Sequence, residues 1–86
     1  MTPHPVLIEW GDACDVGEGW IALDDFEVDD VAPCGVVSVG WLVQESESAV
    51  LLALSIAEFG DGRQVFTIPK ATIRTMVRLV PHDRAQ

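Results

Sequence analysis

The residues best suited to chemistry stand near the start of the chain, in the stretch EWGDACDVGEGW that runs from Glu9 to Trp20. Its acidic side chains Asp12, Asp15 and Glu18 could bind a cation or dock on a basic surface. Calcium loops place oxygen ligands at alternate positions, whereas these three acids are spaced three residues apart. The spacing argues against a calcium loop. It leaves open an acidic docking surface or a solvated connection between two tryptophans.

Zinc would need four cysteine or histidine ligands, and the chain offers only Cys14, Cys34, His4 and His82. Their spacings match no tetrahedral zinc signature, and both histidines stand near a terminus. We therefore expect neither a metal ion nor any other cofactor.

Nucleophilic catalysis needs a serine or cysteine beside a positioned base, which is most often histidine. His4 lies between two prolines and His82 lies in the polar tail, while neither cysteine has a basic neighbour in the sequence. The glycines of the GDG segment at 60–62 indicate a turn and not a phosphate-binding loop. We expect that the protein is not an enzyme.

All basic residues follow position 62: they are Arg63, Lys70, Arg74, Arg78 and Arg84. Lys70 and Arg74 could bind the phosphates of a small nucleotide, with the pocket completed between subunits. Equally, Arg74 and Arg78 could pair with the acidic segment 24–30 of the same or a neighbouring chain. Both alternatives stay open on the sequence alone.

Fourteen acidic residues against five basic ones give a net charge of −9. Direct nucleic-acid binding is disfavoured, because gripping phosphates needs clustered Lys and Arg. The acids either keep the surface solvated or imitate nucleic-acid phosphates toward the basic surface of a partner protein.

The start of the chain lacks the basic and apolar regions of a signal peptide, and the longest apolar run, AVLLALSIA, is only nine residues. We expect a soluble protein of the cytoplasm with no membrane partner. Its two cysteines, separated by nineteen residues, are then expected to be free thiols.

The elements that must position these residues are predicted to be strands. Residues 35–44 and 49–57 both alternate with a period of two and flank the polar turn 45–48, so they predict an antiparallel hairpin. Gly40 within the first run predicts a bend or bulge. The core face of the hairpin is expected to hold Val37, Val39, Trp41, Leu52, Leu54 and Ile56.

The rest of the chain adds a first strand at 5–10, one or two helical turns within 20–30, a strand at 64–68, a short turn at 69–72 and a last strand at 73–80. The predicted fold is one mainly β domain: a small, strongly bent antiparallel sheet or barrel of the SH3 or Sm type. It has about five strands, with residues 5–80 ordered and 81–86 a polar tail.

The apolar residues suggest an association surface. Trp41 is expected in the core, whereas Trp10 and Trp20 are expected to pack as lids, to meet another subunit or to stack on a planar ligand. Leu42 and Leu51 lie opposite the expected core face, and covering them requires another part of the chain or a second copy. We therefore expect a homo-oligomer.

Three segments, GEGWIALDD, SVGWLVQE and FTIPKATIRTMVRL, together resemble a group of small phage and prophage proteins, over about Glu9 to Leu79. The resemblance implies expression in a bacterial host and an accessory role, and it supplies no catalytic residue. The leading hypothesis is a non-enzymatic phage accessory protein that binds stoichiometrically, for example as an acidic inhibitor or decoy of a host defence protein. The alternatives are an oligomer that sequesters a nucleotide-like signal and a structural or assembly module.

Overall fold

Five antiparallel strands form one sheet in the computed structural model, which describes residues 2–13, 20, 22–25 and 33–82. Two short 3₁₀ turns accompany them. In chain order the elements are β1 (His4–Asp12), a 3₁₀ turn (Leu23–Asp25), β2 (Cys34–Glu45), β3 (Ala49–Ile56), β4 (Gly62–Pro69), a second 3₁₀ turn (Lys70–Thr72) and β5 (Ile73–Arg78).

The strand order across the sheet is β4-β3-β2-β1-β5. The two edge strands, β4 and β5, are joined only by the second 3₁₀ turn, so the sheet must curl to bring its edges to one corner. Within the described residues no ladder joins β4 to β5, and the sheet is not closed. The predicted mainly β, strongly bent antiparallel sheet is confirmed in its open form.

The predicted hairpin is formed by β2 and β3, and Ser46 organises its turn. The backbone N–H of Ser46 donates to the carbonyl of Ala49 at 2.9 Å. In return, the Ser46 hydroxyl oxygen accepts the N–H groups of Ser48 and Ala49 at 3.3 and 3.2 Å. Serine favours such turns because its short hydroxyl reaches nearby backbone donors.

Gly40 marks the place where the sheet bends and forks. A Cβ at this position would lie 3.1 Å from the carbonyl oxygen of Ala53, so a side chain there would crowd the β3 backbone. The β2–β3 ladder ends beside it, at the pair Trp41 and Ala53. Beyond that pair, the first half of β2 bonds only to β1 and the end of β3 bonds only to β4.

The core lies on one side of the curled sheet. The first four strands supply its buried apolar side chains, and Trp10 and Ile73 pack against them at its margin. Fully burying an aliphatic side chain of this size contributes about 1.5–3 kcal/mol, so this cluster dominates the stability of the fold. The buried residues of this cluster are Val6, Ile8, Leu42, Val50, Leu52 and Ile68. Ala53 is also buried, but it pairs with Trp41 on the opposite side of the sheet.

The expected core face of the hairpin is wrong for most of its residues. Leu52 is buried and Ile56 is half-buried, but the other four side chains are exposed, namely Val37, Val39, Trp41 and Leu54. The register explains the error on β2, because Leu42 pairs with Leu52 and Gly40 pairs with Val6, which turns the opposite set of β2 residues to the core. Leu42 is therefore a core residue and Leu51 is half-buried. Leu54 is exposed because it lies beyond the fork.

The predicted short turn at 69–72 is a 3₁₀ turn that fastens the corner between the edge strands. The Lys70 N–H donates to the carbonyl of Ser48 at 2.8 Å, and the Thr72 hydroxyl donates to the carbonyl of Pro69 at 2.7 Å. After β5 ends at Arg78, the N–H of Leu79 still donates to the carbonyl of Pro5 at 2.9 Å. The last strand is thus shorter than predicted, although the chain continues beside β1.

Candidate binding surface

An apolar surface covers the side of the sheet opposite the core. We call it the open face, and it consists of Leu7, Val37, Val39, Trp41, Val65 and Val77. Leu7 is half-buried and the other five side chains are 38–63% exposed. Side chains alternate between the two sides of a strand, so these residues project away from Val6 and Ile8.

The register makes the open face continuous. Leu7 pairs with Val39 on one side and Val77 on the other, which forms a row across three strands. The neighbouring row is formed by Trp41, Ala53 and Val65, since Ala53 pairs with both of the others. Neighbouring rows on one side of a strand are about 6.6 Å apart, so the two rows touch. Contiguous exposed apolar surface of this kind marks interaction sites on soluble proteins.

A cleft at the fork extends the open face. Its volume is about 420 Å³, and Val39 and Val65 belong to both surfaces. The remaining lining residues are Ser38, Leu54, Gln64 and Phe66. Gln64 has a φ of 52°, a left-handed conformation that costs a non-glycine residue about 1–3 kcal/mol. The cleft suits an apolar side chain that enters between the two halves of the sheet, with Ser38 and Gln64 as polar groups at its wall.

The acidic residues singled out in the sequence are only partly within the described residues. Asp12 is exposed at the end of β1, where its Oδ1 accepts the N–H of Ala13 at 2.9 Å. Asp15 and Glu18 lie outside the described residues, as does most of the segment 24–30. The proposed acidic docking surface therefore stays a prediction.

The three tryptophans occupy different environments. Trp10 is half-buried against the core, and its Nε1 donates to the Ser38 hydroxyl at 3.0 Å, as a lid would. Trp20 is fully exposed, so the lid hypothesis is wrong for it and the alternatives of a subunit contact or a stacking platform remain. Trp41 belongs to the open face and not to the core.

Lys70 is engaged inside the chain. Its Nζ lies 2.6 Å from Oε2 of Glu45, the last residue of β2. A cation held by a carboxylate is a poorer ligand for phosphate, because the anion must first displace its partner. This ion pair weakens the nucleotide-binding alternative.

Arg74 lies at the other end of β2. Positions 11 and 35 are a cross-strand pair of glycines, and Cβ atoms built there would each lie 3.9 Å from the Arg74 guanidinium. The guanidinium thus rests over two glycines, with the Pro33 side chain beside them. Lys70 contacts β2 at Glu45, ten residues from Gly35, so the structure does not bring Lys70 and Arg74 together within one chain.

Arg78 is exposed on β5, opposite Val6 in the ladder. It lies four positions beyond Arg74 along the strand, which corresponds to about 13 Å. No acid in the described part of the chain is within ion-pair distance of either arginine. Their pairing with the segment 24–30 therefore stays a prediction.

Cys34 is disulfide-bonded, so the expectation of a free thiol is wrong for this residue. The sequence has one other cysteine, Cys14, which lies outside the described residues. Disulfides are rare in a reducing cytosol. The bond and the expected cytoplasmic location therefore point in opposite directions.

The sequence analysis does not predict the open face as a surface, because it expects three of its six residues, Val37, Val39 and Trp41, in the core. The sequence feature that could have indicated the open face is the apolar character of both sides of β2, since Leu42 on one side competes with Val39 and Trp41 on the other for the interior.

Among the described residues, no group of three ligating side chains lies close enough together to hold a metal ion. No helix in the described ranges has the length and apolar character that crossing a bilayer requires. Comparisons with protein families, curated proteins and solved structures find no match to this chain.

Proposed function

We propose that this chain is a non-catalytic protein that acts by stoichiometric binding, with the open face as its contact surface. The observation that carries the proposal is the exposed row of Leu7, Val39 and Val77 beside the row of Trp41 and Val65. Apolar side chains gain free energy by leaving water and offer no proton, nucleophile or charge to a reaction. Such a surface therefore supports binding to a partner and not catalysis.

The resemblance to small phage and prophage proteins supplies the setting of this proposal: an accessory role in a bacterial host. Two occupants of the open face fit that setting, a host protein and a second copy of the chain. In the anti-defence form of the proposal, exposed acids such as Asp12 would guide the chain to a basic host surface. The apolar face would then supply most of the affinity.

The proposal is tested by expressing the tagged chain in a bacterial host, purifying it through the tag and measuring the mass of the purified species by native mass spectrometry. The wild-type chain is expected in a complex of fixed stoichiometry, either with itself or with one host protein. Val39→Glu places a charge at the centre of the open face and is expected to be recovered alone. Phe59→Glu adds the same charge to an exposed side chain in the β3–β4 turn and is expected to keep the complex.

Two results would contradict the proposal. One is a wild-type chain recovered only as a single copy. The other is a complex that forms equally well with Val39→Glu, because binding would then use a different surface.

A further inference from the structure

We infer that the occupant of the open face is a second copy of this chain, which pairs with the first through the same face. The inference rests on the proposed function, since it takes the open face to be a binding surface, and it names the partner. A two-fold arrangement is the commonest way for identical chains to associate, and it lets one patch serve both partners.

The first argument is the apolar surface that the open face leaves exposed. Five of its six side chains are 38–63% exposed, namely Val37, Val39, Trp41, Val65 and Val77. A soluble chain rarely leaves a contiguous apolar patch of this kind uncovered. A second copy that presents the same patch can cover it.

The second argument is the one-sided core. In small domains, a sheet is stabilised by packing a second layer against its apolar side. Here the core cluster of the described chain lies on one side of the sheet, whereas on the open face only Ala53, between Trp41 and Val65, is buried. A cover that stabilises the fold must be present whenever the chain is folded. A second copy meets this condition, whereas a host protein meets it only in some cells.

The third argument is charge. Two copies with a net charge of −9 each repel one another, so they should meet where the chain carries the least charge. The two central rows of the open face contain no charged residue, from Val77 across to Val65. Charged residues enter in the neighbouring rows, Glu9 opposite Val37 and Arg63 opposite Ser55. The Arg74 guanidinium follows one row beyond Glu9. The open face therefore allows contact between copies at the smallest electrostatic cost.

Sedimentation equilibrium on the purified chain tests the inference without any host component. The wild-type chain is expected at twice the monomer mass of 9.3 kDa. Val39→Glu is expected to raise the dimer dissociation constant by at least about tenfold, equivalent to about 1.4 kcal/mol. Phe59→Glu carries the same added charge and is expected to leave the constant within about twofold, equivalent to about 0.4 kcal/mol.

A second measurement covers the case in which Val39→Glu fails to fold. Val39→Thr keeps the shape and strand preference of valine but places a hydroxyl at the contact, so it is expected to weaken the dimer by a smaller factor. Photochemical carbene labelling of the wild-type chain is expected to modify Val39 and Trp41 less as the protein concentration rises. Labelling of Phe59 should stay constant.

The outcomes separate this inference from the proposed function. A purified wild-type chain that is monomeric at all concentrations, with labelling of Val39 independent of concentration, overturns the second copy as occupant. If that monomer still forms a complex in the host that Val39→Glu abolishes, the proposed function stands with a host protein as the partner. A dimer that Val39→Glu leaves intact also overturns the inference, because the copies then meet elsewhere.

Discussion

The Nζ of Lys70 lies 2.6 Å from the carboxylate of Glu45, and this ion pair joins the corner between the two edge strands to the end of β2. The backbone of Lys70 reinforces the connection by donating to the carbonyl of Ser48. Side chain and backbone thus tie the same residue to the β2–β3 hairpin. The role of Lys70 within one chain is to fasten the curl of the sheet.

A double-mutant cycle measures what this ion pair contributes. Both side chains are about one-third exposed, so water screens the attraction. The coupling between Lys70→Met and Glu45→Gln in urea unfolding is expected to be about 0.2–1 kcal/mol. A coupling above about 2 kcal/mol, the range for desolvated pairs, would contradict the picture of a screened surface contact.

Two leucines on β3 test the assignment of the core. Leu52→Ala removes a fully buried side chain and is expected to lower the free energy of unfolding by about 2–5 kcal/mol. Leu54→Ala removes the same atoms from a position that is 53% exposed beyond the fork, and it is expected to cost less than about 1 kcal/mol. If chemical denaturation showed that both substitutions lower the free energy of unfolding equally, the fork would be closed in solution and Leu54 would be buried there.

The contrast between Leu52 and Leu54 also shows which features of the fold the sequence predicts and which it does not. The period of two identifies β2 and β3 and the turn between them, because alternation and turn residues are local signals. Which side of β2 faces the core is decided by its register against Val6 on β1 and Leu52 on β3, and both sides of β2 are apolar. Local pattern cannot decide between two apolar sides.

The candidate site was less predictable than the fold for the same physical reason. Lys70 and Glu45 are 25 residues apart in the sequence, and the pairing of β3 with both β2 and β4 brings their side chains together. Arg74 reaches the glycine pair of β1 and β2 because β5 returns beside β1. By contrast, the consequence of Gly40 could be predicted, since a glycine within an apolar strand indicates a bend on its own.

Cys34 gives a prediction about redox conditions. Cys34→Ser removes its disulfide and is expected to lower the free energy of unfolding by about 2–4 kcal/mol, mainly because the unfolded chain becomes less constrained. The same loss should follow when a reductant is added to the wild-type chain, and Cys34→Ser should show no further response. A wild-type melting temperature that is insensitive to reductant would contradict a stabilising bond.

Gly40 and Gly35 on the same strand form a matched pair of substitutions. Gly40→Ala would place a Cβ 3.1 Å from the carbonyl oxygen of Ala53, and a backbone atom can yield only if the strands move apart. Overpacking of this kind typically costs about 1–3 kcal/mol. Gly35→Ala would meet only the flexible end of Arg74, at 3.9 Å.

Urea unfolding of the two variants shows whether Gly40 is required by the close approach of the β3 backbone or whether any glycine of β2 is equally sensitive to substitution. Gly35→Ala is expected to be neutral or to stabilise by up to about 1 kcal/mol, because alanine restricts the unfolded chain more than glycine does. Gly40→Ala is expected to destabilise, and the larger Gly40→Val should destabilise further. Since Gly40 stands between Val39 and Trp41, a shift of β3 there should also disturb the open face and weaken self-association. A stable Gly40→Val variant with unchanged association would mean that β3 does not pass this close to β2.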